Sequence, residues 1–161
     1  MKPKLYLEST ISSYYVARPS RDLIMAAQQQ MTRDWWMRRR KDFDIYVSQV
    51  VIDEVVAGDR EMARQRRELL KPFGQLELSP AATRLAEALI RSGPLPRKAT
   101  RDALHIAVSA VHEMQFLLTW NCRHIANAEM LRKIQGVCHE HGFNCPVVCT
   151  PGELMGDQTN D

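Results

Sequence analysis

The sequence predicts an α/β fold in three layers, a central and mostly parallel sheet flanked by helices. Short apolar runs the length of buried strands recur from Leu5–Leu7 to Pro146–Cys149, and segments with helical spacing of apolar residues separate them. Capping residues and breakers mark the joints between the two kinds of segment. Short apolar strands alternating with helices are the pattern of a parallel sheet covered on both faces. In such a sheet the functional crevice lies beyond the carboxyl ends of the strands.

Leu5–Leu7 is the first strand and ends directly at Glu8. Ser9 to Val16 reads as a short helix or turn, closed by Arg18-Pro19-Ser20. The Ser20 hydroxyl can cap a helix, and from Asp22 to about Lys41 no Gly or Pro interrupts one. Ile45-Tyr46-Val47 is the second strand, and Ser48 can cap a helix running to Ala57. Gly58 stops that helix, since it takes the left-handed conformation without a Cβ clash. Asp59 then caps the next, which runs through Leu70.

Leu76-Glu77-Leu78 is the third strand, followed by Ser79-Pro80, a cap with proline at the first helical position. The helix Ala81–Arg91 ends at Ser92-Gly93-Pro94, and Leu95–Lys98 is a loop. Thr100 caps a helix to about Glu113, and Phe116–Thr119 is the fourth strand. Asn127–His141 is a helix weakened by Gly136 and stopped by Gly142. Pro146–Cys149 is the last strand, with Thr150-Pro151 opening a final turn. The 161 residues suit one domain, expected over 1–155, with a polar, frayed tail at 156–161.

Composition narrows the class. No apolar run reaches the roughly 18 residues of a transmembrane helix. Met1-Lys2-Pro3-Lys4 leads into a short apolar segment containing Glu8, without the length or cleavage site of a signal peptide. A cytoplasmic protein is expected, with Cys122, Cys138, Cys145 and Cys149 as thiols. Cys138, His139, His141 and Cys145 lie close together, but their spacing matches no standard zinc pattern. The net charge of +3 is too small to identify a nucleic-acid binder. Basic clusters at Arg33–Lys41 and Arg60–Arg67 suit solvated helix faces at least as well as phosphates. Trp35 and Trp36 are read as covering the sheet or a dimer surface rather than stacking bases. No Gly-rich phosphate loop, Ser-His-Asp order or dinucleotide fingerprint is present.

The acids carry more information. Glu8 follows the first strand, Glu54 lies in the helix after the second, and Asp102 sits in the first turn of the helix before the fourth. Asn121 follows the fourth strand in Thr119-Trp120-Asn121. Three carboxylates and an amide thus approach one sheet edge from four segments. Clustered carboxylates repel one another, a cost that a hard divalent cation with oxygen ligands relieves. Metal-assisted phosphodiester hydrolysis uses such a group: the metal polarises a phosphoryl oxygen and acidifies a water. Asp102 is the acid on a helix that is apolar around most of its circumference, so it needs a reason or a partner, which Lys98 one turn back could supply. His105, one turn later, is read as a hydrogen-bonded core residue. Asp53 and Glu54 are neighbours about 100° apart on a helix, and position alone does not choose between them.

Tyr6-Leu7-Glu8-Ser9-Thr10, Ser48 through Glu54, Arg101 through Ala107, and Leu117-Leu118-Thr119-Trp120-Asn121 fall in the order of the PIN domain. The chain resembles that family from the first strand to Val148, and within it the VapC-like nucleases of toxin–antitoxin pairs. The resemblance implies a three-layer PIN-like fold and a Mg²⁺- or Mn²⁺-dependent endoribonuclease that cleaves single-stranded or looped RNA. It also implies a homodimer and a small antitoxin protein that blocks the site. Carried over by position, the acids are Glu8, Glu54 rather than Asp53, and Asp102, with Glu8 and Asp102 holding the metal. Ser9, Thr10 and Thr119 would support the metal shell, and Lys98, Arg101 and Arg123 would contact RNA. Two departures stand out. Glu8 replaces the family's usual Asp, and Asn121 occupies the fourth acidic position without bringing charge. The alternative is therefore a catalytically weak or inactive PIN-like module that binds RNA or an antitoxin.

Overall fold

The computed structural model describes residues 1–157. Most of the expected tail, 158–161, lies outside the described residues. Its strands are β1 (Lys4–Leu7), β2 (Asp44–Ser48), β3 (Gly74–Leu76), β4 (Phe116–Leu118) and β5 (Val147–Cys149). They form a five-stranded sheet in the order β3-β2-β1-β4-β5, and every neighbouring pair is parallel. Leu5 faces Ile45 on one side and Phe116 on the other, and Leu7 pairs with Leu118. Leu5, Tyr6 and Leu7 are consecutive and all fully buried, as a strand covered on both faces requires.

The winding positions the site. From β1 the chain builds outward to β2 and β3, then returns to place β4 and β5 on the other side of β1. The strand order therefore reverses between β1 and β4, and ligand crevices of open α/β sheets lie at that reversal. Glu8 leaves the end of β1 and Thr119 the end of β4.

The helices are α1 (Ser9–Val16), α2 (Leu23–Arg38), α3 (Gln49–Val55), α4 (Arg60–Leu70), α5 (Pro80–Arg91), α6 (Thr100–Val111) and α7 (Ala128–Glu140). Helix α1 packs against α2, α3 and α4, while α5 packs against α6 and α7. Ala103, Ile106, Ala107 and Val108 of α6 are fully buried, in line with that helix's nearly all-apolar circumference. Trp35 and Trp36 are core residues, in contact with each other and with Phe43, Phe73 and Tyr15. Gly58 and Gly142 hold φ of +87° and +82° after α3 and α7, which favours glycine at both stops.

The Asp59 and Ser79 caps form as expected, accepting from the amides of Met62 at 2.9 Å and Ala82 at 3.2 Å. Elsewhere the boundaries shift. Asp22, not Ser20, caps α2 by accepting from Met25 at 2.8 Å, while the Ser20 hydroxyl accepts from Asp22 in the preceding turn at 3.1 Å. Helix α2 stops at Arg38, and a separate 3-10 turn covers Arg40–Asp42. Ala99 rather than Thr100 precedes α6, because a tight turn bonds the Ala99 amide to Pro96 and the Thr100 hydroxyl donates back to Arg97. Strand β3 lies two residues before the expected Leu76–Leu78. Gly74 pairs with Tyr46 there, and a Cβ at Gly74 would sit 2.8 Å from the Tyr46 ring. Packing against that ring sets the register. Among the described residues, no helix is long and apolar enough to cross a membrane.

Candidate active site

Glu8 is fixed from both ends. Its amide donates to the Leu118 carbonyl at 3.1 Å, which pins it where β1 meets β4. Its carboxylate folds over the start of α1 as the helix cap: Oε2 accepts from the Thr10 amide at 3.0 Å and from the Thr10 hydroxyl. The same oxygen accepts from Thr119 Oγ1 at 2.8 Å, and Oε1 accepts from Ser9 Oγ at 2.8 Å. Glu8 is only 3% exposed, so these donors replace the water it gives up. Ser9, Thr10 and Thr119, the three hydroxyls expected near the first acid, all bond to it. Oε2 is crowded with donors, and Oε1 has acceptor capacity left.

Glu54 approaches from α3. The neighbouring Asp53 points the other way and accepts from Gln49 at 2.7 Å on an exposed face. Glu54 Oε1 accepts from Nε2 of His105 and lies 3.3 Å from Ser9 Oγ, whose one proton is shared with the nearer Glu8. One Ser9 hydroxyl thus lies between two carboxylates. Burial pushes the Glu54 carboxyl up, but the imidazole of His105, the Ser9 hydroxyl and the charge of Arg101 outweigh it and hold it below its usual range.

His105 is fully buried on α6, and its Nδ1 lies 2.7 Å from the Tyr6 hydroxyl, itself 2.8 Å from Ser48 Oγ. Burial raises the Tyr6 phenol far above its ordinary range, so it carries one proton to donate. With a neutral ring, only one direction satisfies every atom: Ser48 donates to Tyr6, Tyr6 donates to Nδ1, and Nε2–H donates to Glu54. The reverse direction would set the bare Nε2 lone pair against a carboxylate. Ser48, at the cap position of α3, makes no capping bond with its side chain; its hydroxyl pairs with Tyr6 instead.

Asp102 sits in the first turn of α6 with its side chain 20% exposed. Oδ1 accepts from Asn121 Nδ2 at 3.0 Å, and Oδ2 accepts from His124 Nδ1 at 2.8 Å. Asn121 Oδ1 accepts from the Arg123 and His124 amides, and its own amide donates to Thr119 Oγ1 at 2.9 Å. The Thr119 hydroxyl therefore joins two networks, donating to Glu8 and accepting from the residue that holds Asp102. Both ends of the Asn121 side chain are engaged within the protein. Lys98, Arg101 and Arg123 are exposed, and Arg101 is near enough to Glu54 to act on its charge.

Among the described residues, one group of side chains brings metal-donor atoms together: Glu8, Glu54 and His105 lie within 4.8 Å of one another. Asp102 stands outside that group, linked to Glu8 through Thr119 and Asn121. The carboxylates suit a hard divalent cation. His105 belongs to the group by position, but its Nε2–H makes it a donor to Glu54 rather than a ligand. Cys138, His139, His141 and Cys145 form no such group among the described residues, and all four cysteines are free thiols.

His105 is the hydrogen-bonded core residue that its helix predicts, but its contact with Glu54 and the place of His124 beside Asp102 go beyond that expectation. The available signal was the burial of α6: an imidazole there needs two partners, and acids and hydroxyls at the strand ends are the nearest candidates.

No family model matches the sequence, and no curated protein matches it. Solved structures do. A chain of a toxin–antitoxin complex from Klebsiella pneumoniae superposes with a TM-score of 0.56 at 16% identity, over 92% of this chain and 98% of that one. A chain of VapBC2 from Rickettsia felis, bound to a DNA fragment from the promoter, gives 0.55 at 13% identity, over 91% and 97%. At these identities the likeness is one of fold. It bears out the PIN-like α/β architecture.

Proposed function

We propose that this chain is a divalent-metal-dependent endoribonuclease of VapC type, the toxin component of a toxin–antitoxin pair acting in the cytoplasm. The observation that carries the reading is the Ser9 hydroxyl held between Glu8 at 2.8 Å and Glu54 at 3.3 Å, at the reversal of strand order. Two carboxylates converging on one hydroxyl form an anionic pocket that a cation would stabilise. The fold shared with chains of two toxin–antitoxin complexes supports the reading, as it does an antitoxin partner.

Glu8 and Glu54 would hold Mg²⁺ or Mn²⁺, and Asp102 would contribute directly or through water. When bound, the ion supplies Lewis-acid polarisation of a phosphoryl oxygen and acidifies the attacking water. The protein's own groups do the positioning. Ser9, Thr10 and Thr119 fix the Glu8 carboxylate, His105 fixes Glu54, and Asn121 with His124 fixes Asp102. Lys98, Arg101 and Arg123 are free to meet the phosphate backbone of RNA. A homodimer would complete the assembly.

The second reading is a catalytically weak PIN-like module that binds RNA or an antitoxin. It is favoured by Asn121, which replaces an acid and has both side-chain ends occupied. Cleavage of mixed RNAs with Mg²⁺ or Mn²⁺, with and without chelator, separates the two when Asp102→Asn is run alongside. Metal-dependent cleavage lost in the variant supports the nuclease. Cleavage unchanged by variant and chelator alike rules it out.

A further inference from the structure

Tyr14 and Trp120 form an aromatic pair at the rim of the acidic site. Their rings stack with centroids 6.0 Å apart and planes 12° from parallel. Trp120 is the residue between Thr119, bonded to Glu8, and Asn121, bonded to Asp102. Two hydrogen bonds fix its placement. Its amide donates to Thr10 Oγ1 at 2.9 Å, and its indole Nε1 donates to Thr32 Oγ1 at 2.7 Å. Trp120 is partly buried and packed against the core, so its indole is held at a defined place.

Tyr14 stands one helical turn beyond Thr10 on the same face of α1, and Thr10 is itself bonded to Glu8. Tyr15, the next residue, packs into the core, whereas Tyr14 is half-buried against Trp120. Burial first, then the nearby Cys122 thiol and the Glu8 charge, raise the Tyr14 phenol. A pre-oriented aromatic surface beside a phosphodiester site has a natural ligand, since bases of unpaired nucleic acid stack on tyrosine and tryptophan.

We infer that the Tyr14–Trp120 pair is a nucleobase-binding subsite, on which an unpaired base next to the scissile phosphate stacks. The inference rests on the nuclease reading for the identity of the ligand. It also sets a requirement on that site's substrate, which must present an unstacked base, so single-stranded or looped segments would be taken in preference to duplex. Arg101 and Arg123, both exposed, would then be available to the backbone phosphates.

Trp35 and Trp36 are 0% and 4% exposed, so a ligand that quenches tryptophan emission by contact reports on Trp120. The test titrates the full chain, in Ca²⁺ without Mg²⁺ or Mn²⁺, with a six-nucleotide oligo(A) and with an abasic ribose-phosphate oligomer of equal length. Oligo(A) is expected to quench emission and to bind roughly five- to a hundredfold tighter than the abasic oligomer. Tyr14→Ala should shrink that preference, since it removes one of the two rings, and Tyr14→Phe should retain it. Equal affinity of the two oligomers for the unmodified chain, or no binding of either, overturns the inference without depending on any variant's folding. RNA cleavage together with equal affinities would sink the subsite and leave the nuclease standing. Base-dependent quenching without metal-dependent cleavage would do the reverse.

Discussion

His105 donates its Nε2–H to Glu54, across 51 residues of sequence, from a ring with no exposed surface. The imidazole is aimed by Tyr6 on its other nitrogen, and in turn aims the carboxylate at Ser9 and Glu8. Such outer partners of metal-holding groups commonly contribute ten- to a hundredfold to affinity or rate. His105→Gln is therefore expected to lower metal-dependent RNA cleavage by about that factor and to raise the metal concentration giving half-maximal rate. A variant with wild-type metal dependence would remove His105 from the site.

Tyr6→Phe deletes one oxygen and leaves the ring in place. The His105 Nδ1 and the Ser48 hydroxyl both lose their partner in a dry environment. An unsatisfied buried polar group costs about 1–3 kcal/mol, and urea unfolding should register a loss in that range. Ser48→Ala should cost less, because it removes the outermost donor and leaves the Tyr6–His105 bond intact.

Much of this arrangement could be read from the chain. Glu8, Asp102 and Asn121 lie beside apolar strands or on a strongly apolar helix, and such segments are set by local periodicity. Asp59 and Ser79 cap their helices because a cap acts within three residues. Asp22 displaced Ser20 because two competent side chains stood two residues apart, and the shape of the turn chose between them. The choice of Glu54 over Asp53 as the inward acid depended on how α3 rolls on the sheet. His105 meets Tyr6 and Glu54 from 99 and 51 residues away, and no local pattern encodes that meeting. The Gly74–Tyr46 contact that shifts β3 is of the same kind.

The pH dependence of stability carries a signature of Glu54. Its folded carboxyl titrates below the ordinary value of 4.5, so it adds stability that is complete above that value and is lost as pH falls through the depressed one. Glu54→Gln should flatten the decline of unfolding free energy below pH 4.5, in chelator. An unchanged slope would show that Glu54 is not held in its charged form.

Asn121→Asp exchanges an amide donor for a second carboxylate beside Asp102. Without metal, repulsion between the two should lower the melting temperature. With Mn²⁺ the variant should gain more thermal stabilisation than the wild type, and faster cleavage if the missing acid limits activity. Equal gains with and without the substitution would mean that position 121 does not face the ion.

Joint binding of one divalent ion by Glu8 and Glu54 is measured directly by calorimetric titration of Mn²⁺ into the metal-free chain. The expected result is one ion per chain, with binding lost in both Glu8→Gln and Glu54→Gln while each variant keeps its far-ultraviolet circular dichroism. Undiminished binding in both variants, or no uptake by the wild type at millimolar Mn²⁺, would contradict the account.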